Sequence, residues 1–313
     1  MNRRQFLFTA SAPAFAGQTA ALNRSAVGAN TAMAGWGLHD AIEALRRLGF
    51  PAIEIHPMGI PEPIQGKFPG FEFDRIPESE KRRIRRSLEG VQRITTHLPY
   101  FGLSLFDRDR KVSAASTLTF RIALDATAFF RAELAVMHVS APKGWTLDEA
   151  WPSMVRQLRE WGDAAARGRF KLAVETGFPA SVAEFVRLIK EVDHEAVGCT
   201  IDVGHQGRYK ELLERVKPED RVTQAGRLAY NDITHALIDG LGSKILHLHV
   251  HDIDPQTWQE HRPLGTGFVD YQRLIAKLRH IAYRGLLVLE IAGPGEKIEA
   301  MLKDSKHKLE AFL

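Results

Sequence analysis

Three carboxylates and one imidazole stand at or near the ends of four β-rich segments in the second half of the chain. Glu175 and Asp202 belong to the first two segments, and His249 and Glu290 belong to the last two. Burying three carboxylates together is unfavourable unless a cation balances their charge, and these segment ends offer no arginine or lysine. Oxygen and imidazole donors without a thiolate suit Mn²⁺, Mg²⁺, Co²⁺ or Zn²⁺. We therefore expect one divalent metal ion to be bound by Glu175, Asp202, His249 and Glu290.

Strand parity predicts where these side chains point. Alternate residues of a strand face opposite ways, and in each segment the aliphatic residues have one parity and the ionisable residue has the other. The same parity recurs at Glu54, His97 and His138 in three earlier segments. If the aliphatic residues face a layer of helices, the ionisable side chains converge on the inner face of one sheet.

The order of elements predicts the sheet. Short β-rich runs alternate with helical stretches, and the runs are 25–31, 52–55, 94–97, 134–139, 171–175, 198–203, 244–250 and 286–291. This order predicts an α/β fold with a single (β/α)8 TIM barrel as the catalytic domain over 24–313, with active-site residues at the C-terminal ends of the strands. An open doubly wound sheet would need a glycine-rich phosphate turn after the first strand, and Gly28–Thr31 does not supply one. The Pro57–Pro77 segment contains five prolines and is predicted to be an irregular loop near the site; whether it acts as a lid stays open.

Composition excludes several classes of protein. The chain has 313 residues, of which 44% are apolar and 26% charged, as in ordinary globular proteins. A net charge of +4 is too small to predict a nucleic-acid partner, and the basic run Lys81–Arg86 is interpreted as a solvated helix face. The single cysteine, Cys199, excludes an intrachain disulfide. No apolar run is long enough to predict a membrane span, and nothing in the composition indicates the oligomeric state.

The N-terminus has the features of an export signal. Arg3 and Arg4 precede the apolar stretch Phe6–Phe15, and Ala14–Ala16 has the small-x-small form of a cleavage site. We interpret residues 1–23 as a twin-arginine-type signal and linker, which predicts recognition by the export machinery and a periplasmic or otherwise exported protein. Loss of Arg3 and Arg4 lowers the formal charge from +4 to +2, which further disfavours nucleic-acid binding.

Five motifs in a fixed order carry a family resemblance. They are 172–176 (LAVET), 201–205 (IDVGH), 247–250 (HLHV), 263–270 (PLGTGFVD) and 289–290 (LE). Together they resemble the xylose-isomerase-like TIM barrel superfamily. That superfamily includes sugar phosphate isomerases/epimerases, ketose 3-epimerases, hydroxypyruvate isomerase, inosose dehydratase and the AP endonuclease family 2 enzyme endonuclease IV.

The resemblance implies roles for individual residues. It makes Glu175 and Glu290 the catalytic pair, which binds metal and exchanges protons with the substrate, and Asp202 and His249 the other two ligands. It also implies that His205 contacts a substrate oxygen. Further candidate substrate contacts are Glu54, His97 and His261. The pair His97 and His138 matches ligands of a second metal that shares Glu175.

The sequence also departs from the family's pattern. Endonuclease IV holds a third metal partly through an Asp-x-His pair in the loop after the seventh strand, where this chain has Gln259, Glu260 and His261. Pro255 lies near the position of a substrate-binding arginine in ketose 3-epimerases. We therefore expect a metal-dependent isomerase or epimerase that forms an enediolate from a non-phosphorylated sugar or keto-sugar. The alternatives are a 3-keto-glycoside lyase or dehydratase using the same site and, less favoured, an endonuclease IV-like phosphodiesterase or a non-catalytic sugar-binding barrel.

Overall fold

Eight parallel strands close into a ring in the computed structural model, which describes residues 22–57, 71–107 and 109–313. Each strand pairs with the next along the chain, and the last returns to the first through Val27–Ala29 and Leu287–Leu289. The strands are β1 Val27–Asn30, β2 Ala52–Ile55, β3 Arg93–His97, β4 Leu134–Met137, β5 Lys171–Glu175, β6 Val197–Asp202, β7 Ile245–Val250 and β8 Leu286–Leu289. The closed ring confirms the predicted TIM barrel and rules out the open sheet, which would leave two edge strands unpaired.

Helices surround the ring. They are α1 Leu38–Arg47, α2 Glu78–Ser87, α3 Arg110–Phe129, α4 Leu147–Gly168, α5 Val182–Val192, α6 Lys210–Leu213, α7 Gln224–Leu241, α8 Tyr271–His280 and α9 Ile298–Glu310. Several begin at side chains that satisfy free backbone N–H groups; at α4, Thr146 and Glu149 form a reciprocal capping box. The 3₁₀ turn Pro218–Asp220 separates α6 from α7.

Three strands are shorter by two residues or more than the β-rich runs that predicted them. β4 ends at Met137 and β8 at Leu289, so His138 and Glu290 stand just beyond the ladder, at the rim of the barrel. β1 starts only at Val27, because the Asn23 side chain accepts the backbone N–H of Ser25 and caps a 3₁₀ turn over Arg24–Ala26.

The interior of the ring is apolar below the predicted site. Leu134, Val136 and Ala173 form one buried inner cluster, against which Leu246 packs, and Ala52, Leu286 and Val288 form a second. A larger core fills the space between strands and helices. In the β6–β7 ladder Cys199 pairs with Ile245 but Thr200 pairs with His247, so β7 carries one extra residue at Leu246.

The outer surface bears out one prediction about charge. Arg82, Arg83 and Arg86 of α2 are exposed while Ile84 is buried, so the basic run forms the solvent face of that helix. Among the described residues, no helix combines the length and apolar character that a membrane crossing requires. Most of the predicted export signal, and the 58–70 part of the proline-rich loop, lie outside the described residues.

Candidate active site and metal centre

The four predicted metal ligands meet at the C-terminal rim of the barrel. Glu175 and Asp202 are the last residues of β5 and β6, His249 lies in β7, and Glu290 directly follows β8. Their donor atoms all lie within 4.8 Å of one another. The Nδ1 atom of His249 lies 2.8 Å from Glu175 Oε1, 3.2 Å from Glu290 Oε2 and 3.8 Å from Asp202 Oδ2. The structure therefore brings the whole predicted set to one point.

This donor set fits a divalent cation. The side chains of Glu175 and Asp202 are 1% and 0% exposed, and that of Glu290 is 19% exposed. Besides His249, the imidazoles of His138 and His251 contact Glu175 and Asp202, so balancing the three carboxylates without a cation would require several imidazoles to be protonated. Unpaired buried charges are costly. A cation among these oxygens and the imidazole nitrogen removes that cost, and the mixed oxygen and nitrogen donors suit Mn²⁺, Mg²⁺, Co²⁺ or Zn²⁺.

Glu54 lies behind His249 and not in the open cleft. Its side chain is 0% exposed, and Oε1 lies 2.9 Å from His249 Nε2. Its other oxygen accepts the Thr95 hydroxyl at 3.1 Å and lies 3.4 Å from His247 Nε2. Burial raises the pKa of Glu54, but His249 and His247 outweigh burial and hold that pKa well below its usual range. The predicted substrate contact through Glu54 is therefore corrected, because neighbouring side chains enclose both of its oxygens.

The contact between Glu54 and His249 selects a tautomer. With a cation bound at the four donors, Nδ1 of His249 would carry no proton, and an ionised Glu54, 2.9 Å from Nε2, would accept the N–H on that nitrogen. Imidazole ligands of metals commonly donate their second N–H to a carboxylate in this way, and the contact orients the ring and raises its basicity.

Two more imidazoles face the second oxygen of Glu175. His138 Nε2 lies 2.9 Å from Oε2 and His97 Nε2 lies 3.3 Å from it. Within the described part of the chain, this buried oxygen makes no hydrogen bond of acceptable geometry. Burial raises the pKa of Glu175, but His138 and His249 outweigh burial and keep it well below its usual range. Glu175 Oε2, ionised and without a hydrogen bond, could therefore share a second metal ion with His97 and His138, as predicted.

His251 supports Asp202, a role that the sequence did not predict. Its Nε2 lies 3.1 Å from Asp202 Oδ1, and its Nδ1 accepts the backbone N–H of His261 at 2.9 Å. Asp202 Oδ1 also accepts the backbone N–H of Gly204 at 2.6 Å. The signal was present in the sequence, because His251 has the same strand parity as His249.

Asp252 organises the loop after β7. Its buried carboxylate accepts the backbone N–H groups of Ile253, Gly265 and Val269 at 3.0, 2.9 and 3.1 Å. At Gly267 a Cβ atom would lie 2.3 Å from Asp252 Oδ1, so only glycine allows this close approach. The predicted glycine turn is thus held by a residue that the sequence alone did not indicate.

His205 and His261 flank a carboxylate on the open side of the site. His205 Nδ1 donates to the Thr176 carbonyl at 2.6 Å, and its Nε2 lies 3.6 Å from Glu260 Oε2, which is also 3.9 Å from His261 Nε2. Burial lowers the pKa of His205, but Asp202, Glu175 and Glu260 outweigh burial and raise that pKa to about 9. Gln259 stands where the resemblance would place an aspartate, and the neighbouring Glu260 supplies the carboxylate that lies between the two imidazoles.

A cavity of about 600 Å³ opens beside these groups. His138, His205 and His261 line the part nearest the metal centre, and Tyr100 and Glu260 also border it. The remaining wall comes from the loops that follow β3 to β6. It combines apolar residues, Leu103, Leu105, Phe106, Val139, Phe178 and Ala180, with the polar residues Ser140, Thr176 and Arg208.

A closed eight-stranded barrel with carboxylates and imidazoles converging at its C-terminal rim defines the class of TIM barrels that build one active site from many strands. Within that class, the chain belongs to the xylose isomerase-like TIM barrel family, whose sequence profile matches residues 42–311.

Comparison with known proteins is consistent with this family. The chain is 22% identical over 209 residues to an uncharacterized protein of Methanocaldococcus jannaschii, covering 63% of this chain and 64% of that relative. Similar solved structures include a D-tagatose 3-epimerase-like protein, at a TM-score of 0.66, 18% identity and coverage of 91% of this chain and 98% of the other. A 3-keto-D-glucoside 4-epimerase from E. coli matches at a TM-score of 0.65 and 17% identity, with coverage of 91% and 99%. Identities this low establish a shared fold only.

Proposed function

We propose that this protein is a metal-dependent isomerase or epimerase of a non-phosphorylated sugar or keto-sugar. One observation carries the proposal: Glu175 Oε1 and Glu290 Oε2 approach the same nitrogen of His249, at 2.8 and 3.2 Å, from two different strands. An epimerase must remove a proton from a carbon and return one to it, and two carboxylates held close together can do both. Structural neighbours that are named as sugar epimerases support the same class.

The reaction follows from the chemistry of these groups. A proton α to a carbonyl is too weakly acidic for an unaided carboxylate, and a divalent cation at the centre supplies electrostatic stabilisation of the enediolate oxygen. One carboxylate of the pair takes the proton, and the other returns a proton to the same carbon or its neighbour. His205 donates from Nδ1 to the Thr176 carbonyl, and its other nitrogen, Nε2, faces the open side of the site, where it can bond a substrate oxygen.

Solvent isotope exchange tests the proposal. In D₂O the metal-loaded protein should incorporate deuterium at the carbon next to the carbonyl of its sugar, with no group released. Glu175→Gln and Glu290→Gln should each abolish the exchange, and the exposed Glu89→Gln serves as a matched control. Exchange that survives in either variant contradicts its acid–base role, while release of water or an aglycone identifies the lyase or dehydratase alternative.

A phosphodiesterase is the second candidate, favoured by the imidazoles around two carboxylates. His97 and His138 face Glu175, and His205 and His261 lie 3.6 and 3.9 Å from Glu260 Oε2. Elemental analysis of the purified protein, with hydrolysis of bis(4-nitrophenyl) phosphate and of abasic-site DNA, separates the two. Three metal ions per chain together with hydrolysis would support the phosphodiesterase and contradict the isomerase.

We also propose that residues 1–23 direct export through the twin-arginine route. Cell fractionation should find the protein outside the cytoplasm, and replacing Arg3 and Arg4 together by lysine should retain it inside. Export that is unaffected by the double substitution would contradict this signal.

A further inference from the structure

Glu260 is a carboxylate beside the metal centre that the proposed proton transfers do not use. Among the described residues that line the cavity of about 600 Å³, it is the one acidic side chain, and it is 26% exposed. Three basic side chains surround it. His205 Nε2 and His261 Nε2 lie 3.6 and 3.9 Å from its Oε2, and Arg208 Nη2 lies 3.5 Å from its Oε1. A hydrogen bond from nitrogen to oxygen spans about 2.7–3.2 Å, so none of these neighbours occupies a lone pair of the carboxylate.

Two imidazoles connect this carboxylate to the catalytic pair. His205 Nδ1 donates to the carbonyl of Thr176 at 2.6 Å and lies 3.9 Å from Glu175 Oε1. His261 Nδ1 lies 3.1 Å from the backbone carbonyl of Glu290. One imidazole ring therefore separates the carboxylate from the main chain at each side of the pair. A sugar whose reacting carbon lies between the two catalytic carboxylates can span that separation with a neighbouring hydroxyl group.

The position of the Glu260 side chain is set by its surroundings. A Cβ atom at Gly204 would lie 3.0 Å from Glu260 Cγ and closer still to the His251 ring, so glycine at this position makes room for both side chains. The following residue, His261, adopts a positive φ angle of 61° and donates its backbone N–H to His251 Nδ1 at 2.9 Å. The loop therefore holds the carboxylate in the cavity before a ligand arrives.

Contacts within the protein do not give Glu260 a stabilising role. Its pair with Arg208 is long, at 3.5 Å, and the Arg208 side chain is 68% exposed, and exposed ion pairs of this kind contribute little to stability. Its separations from the two imidazoles leave room for a further atom. Two atoms that are 3.6 or 3.9 Å apart can both lie about 2.8 Å from one added oxygen, which is the usual distance to a hydroxyl group.

We propose that Glu260 determines substrate specificity by accepting a hydrogen bond from a free hydroxyl group of the sugar, near the carbon on which Glu175 and Glu290 act. A carboxylate accepts hydrogen bonds and does not donate them, so it selects a hydroxyl group over a hydrogen atom or an ether oxygen at the same position. A site that bonds a hydroxyl group rejects the analogue that lacks it, because the polar group of the site is then left unpaired. This inference rests on the proposed sugar chemistry at the metal centre, but it concerns binding and needs no turnover.

Calorimetry with paired ligands tests the contact. D-Fructose, D-tagatose and D-psicose, each with its monodeoxy analogues, are titrated into the metal-loaded parent protein and into metal-loaded Glu260→Ala. For at least one of the sugars, removing one particular hydroxyl group should weaken binding to the parent about tenfold or more. Glu260→Ala should bind that sugar about tenfold more weakly than the parent does, and removing the same hydroxyl group should then change its binding by less than about twofold.

Two further variants complete the comparison. Glu260→Gln keeps an oxygen that can accept the hydroxyl proton and lacks the charge, so its loss of affinity should be smaller than that of Glu260→Ala. Glu89→Ala, at an exposed position just after α2, is the matched control and should bind every sugar as the parent does. Circular dichroism checks that each variant is folded.

The outcomes separate this inference from the proposed function. Binding of none of the sugars, or deoxy analogues that all bind as tightly as their parent sugars, overturns the role of Glu260. A penalty for every lost hydroxyl group that is the same in Glu260→Ala as in the parent overturns it too, because another residue then makes the contact. Deuterium exchange on a sugar would still support the isomerase in these cases. Absence of exchange on every sugar would overturn the isomerase while a hydroxyl preference that depends on Glu260 stood.

Discussion

Replacing Glu54 is expected to weaken metal binding although Glu54 does not face the metal position. The carboxylate takes the N–H of His249 Nε2 at 2.9 Å and is completely buried. Without it the imidazole can turn or exchange tautomers, and the Nδ1 lone pair is no longer held toward Glu175 and Glu290.

The size of the effect follows from the contact. A buried hydrogen bond to a charged group contributes about 1.5–3 kcal/mol, and loss of a carboxylate that orients a metal-binding histidine typically costs 10–100-fold in affinity, or about 1.4–2.7 kcal/mol. Glu54→Ala should fall in this range. Glu54→Gln lacks the negative charge but keeps an oxygen that can accept the N–H of His249 Nε2. This variant should therefore lose less metal affinity, about tenfold or less.

Titration of the metal-free protein with Mn²⁺ or Co²⁺ measures these affinities directly. Glu89→Gln, at an exposed position just after α2, is the control. Circular dichroism checks that each variant is folded. If Glu54→Ala folds and binds metal as tightly as the parent protein, the proposed positioning role is refuted.

Other perturbations have expected outcomes of their own. Removing metal with a chelator should lower the melting temperature, since a ligand at 100 times its Kd adds about 2.7 kcal/mol; an unchanged melting temperature would mean that no bound metal had been present. Asp252→Ala should destabilise the fold by about 2–4 kcal/mol in urea unfolding, because three backbone N–H groups lose their acceptor, with Asp252→Asn intermediate. Burial and the nearby cations Arg273 and Lys277 lower the pKa of His235 to about 4. As the pH falls, His235 is therefore protonated in the unfolded state before it is protonated in the folded state. The stability that is present above about pH 6.5 is lost as the pH falls toward 4. After solvent screening that loss should be about 1–2 kcal/mol, and His235→Leu should flatten it; an unchanged pH slope would contradict this origin.

The four donors were predictable because strand parity and strand-end position depend on local sequence alone. Glu175, Asp202, His249 and Glu290 each have the inward parity of their segment, and the barrel order brings those segment ends to one rim. Parity also indicated the inward direction of Glu54. Parity could not indicate how deep in the barrel Glu54 lies. That depth depends on the register between strands, which places the Glu54 carboxylate behind His249.

Loop residues were less predictable for a different reason. Trp258 and His261 adopt positive φ angles of 58° and 61°, which reverse the backbone within the loop after β7. The resemblance drew attention to Gln259, whereas the folded loop places Glu260 Oε2 3.6 Å from His205 Nε2 and 3.9 Å from His261 Nε2. Asp252 likewise acts through backbone N–H groups more than ten residues away, and no short motif encodes that contact.

The two halves of the barrel contribute unlike parts to the site. Every carboxylate and imidazole of the four-donor set comes from β5–β8 or the residue after it, whereas β2–β4 and their ends supply Glu54, His97 and His138. During biosynthesis Glu54, His97 and His138 therefore leave the ribosome before the four-donor set. Since Glu290 directly follows β8, the last donor arrives with the strand that seals the ring against β1. A chain that ends before β8 therefore lacks both Glu290 and the strand that pairs with β1.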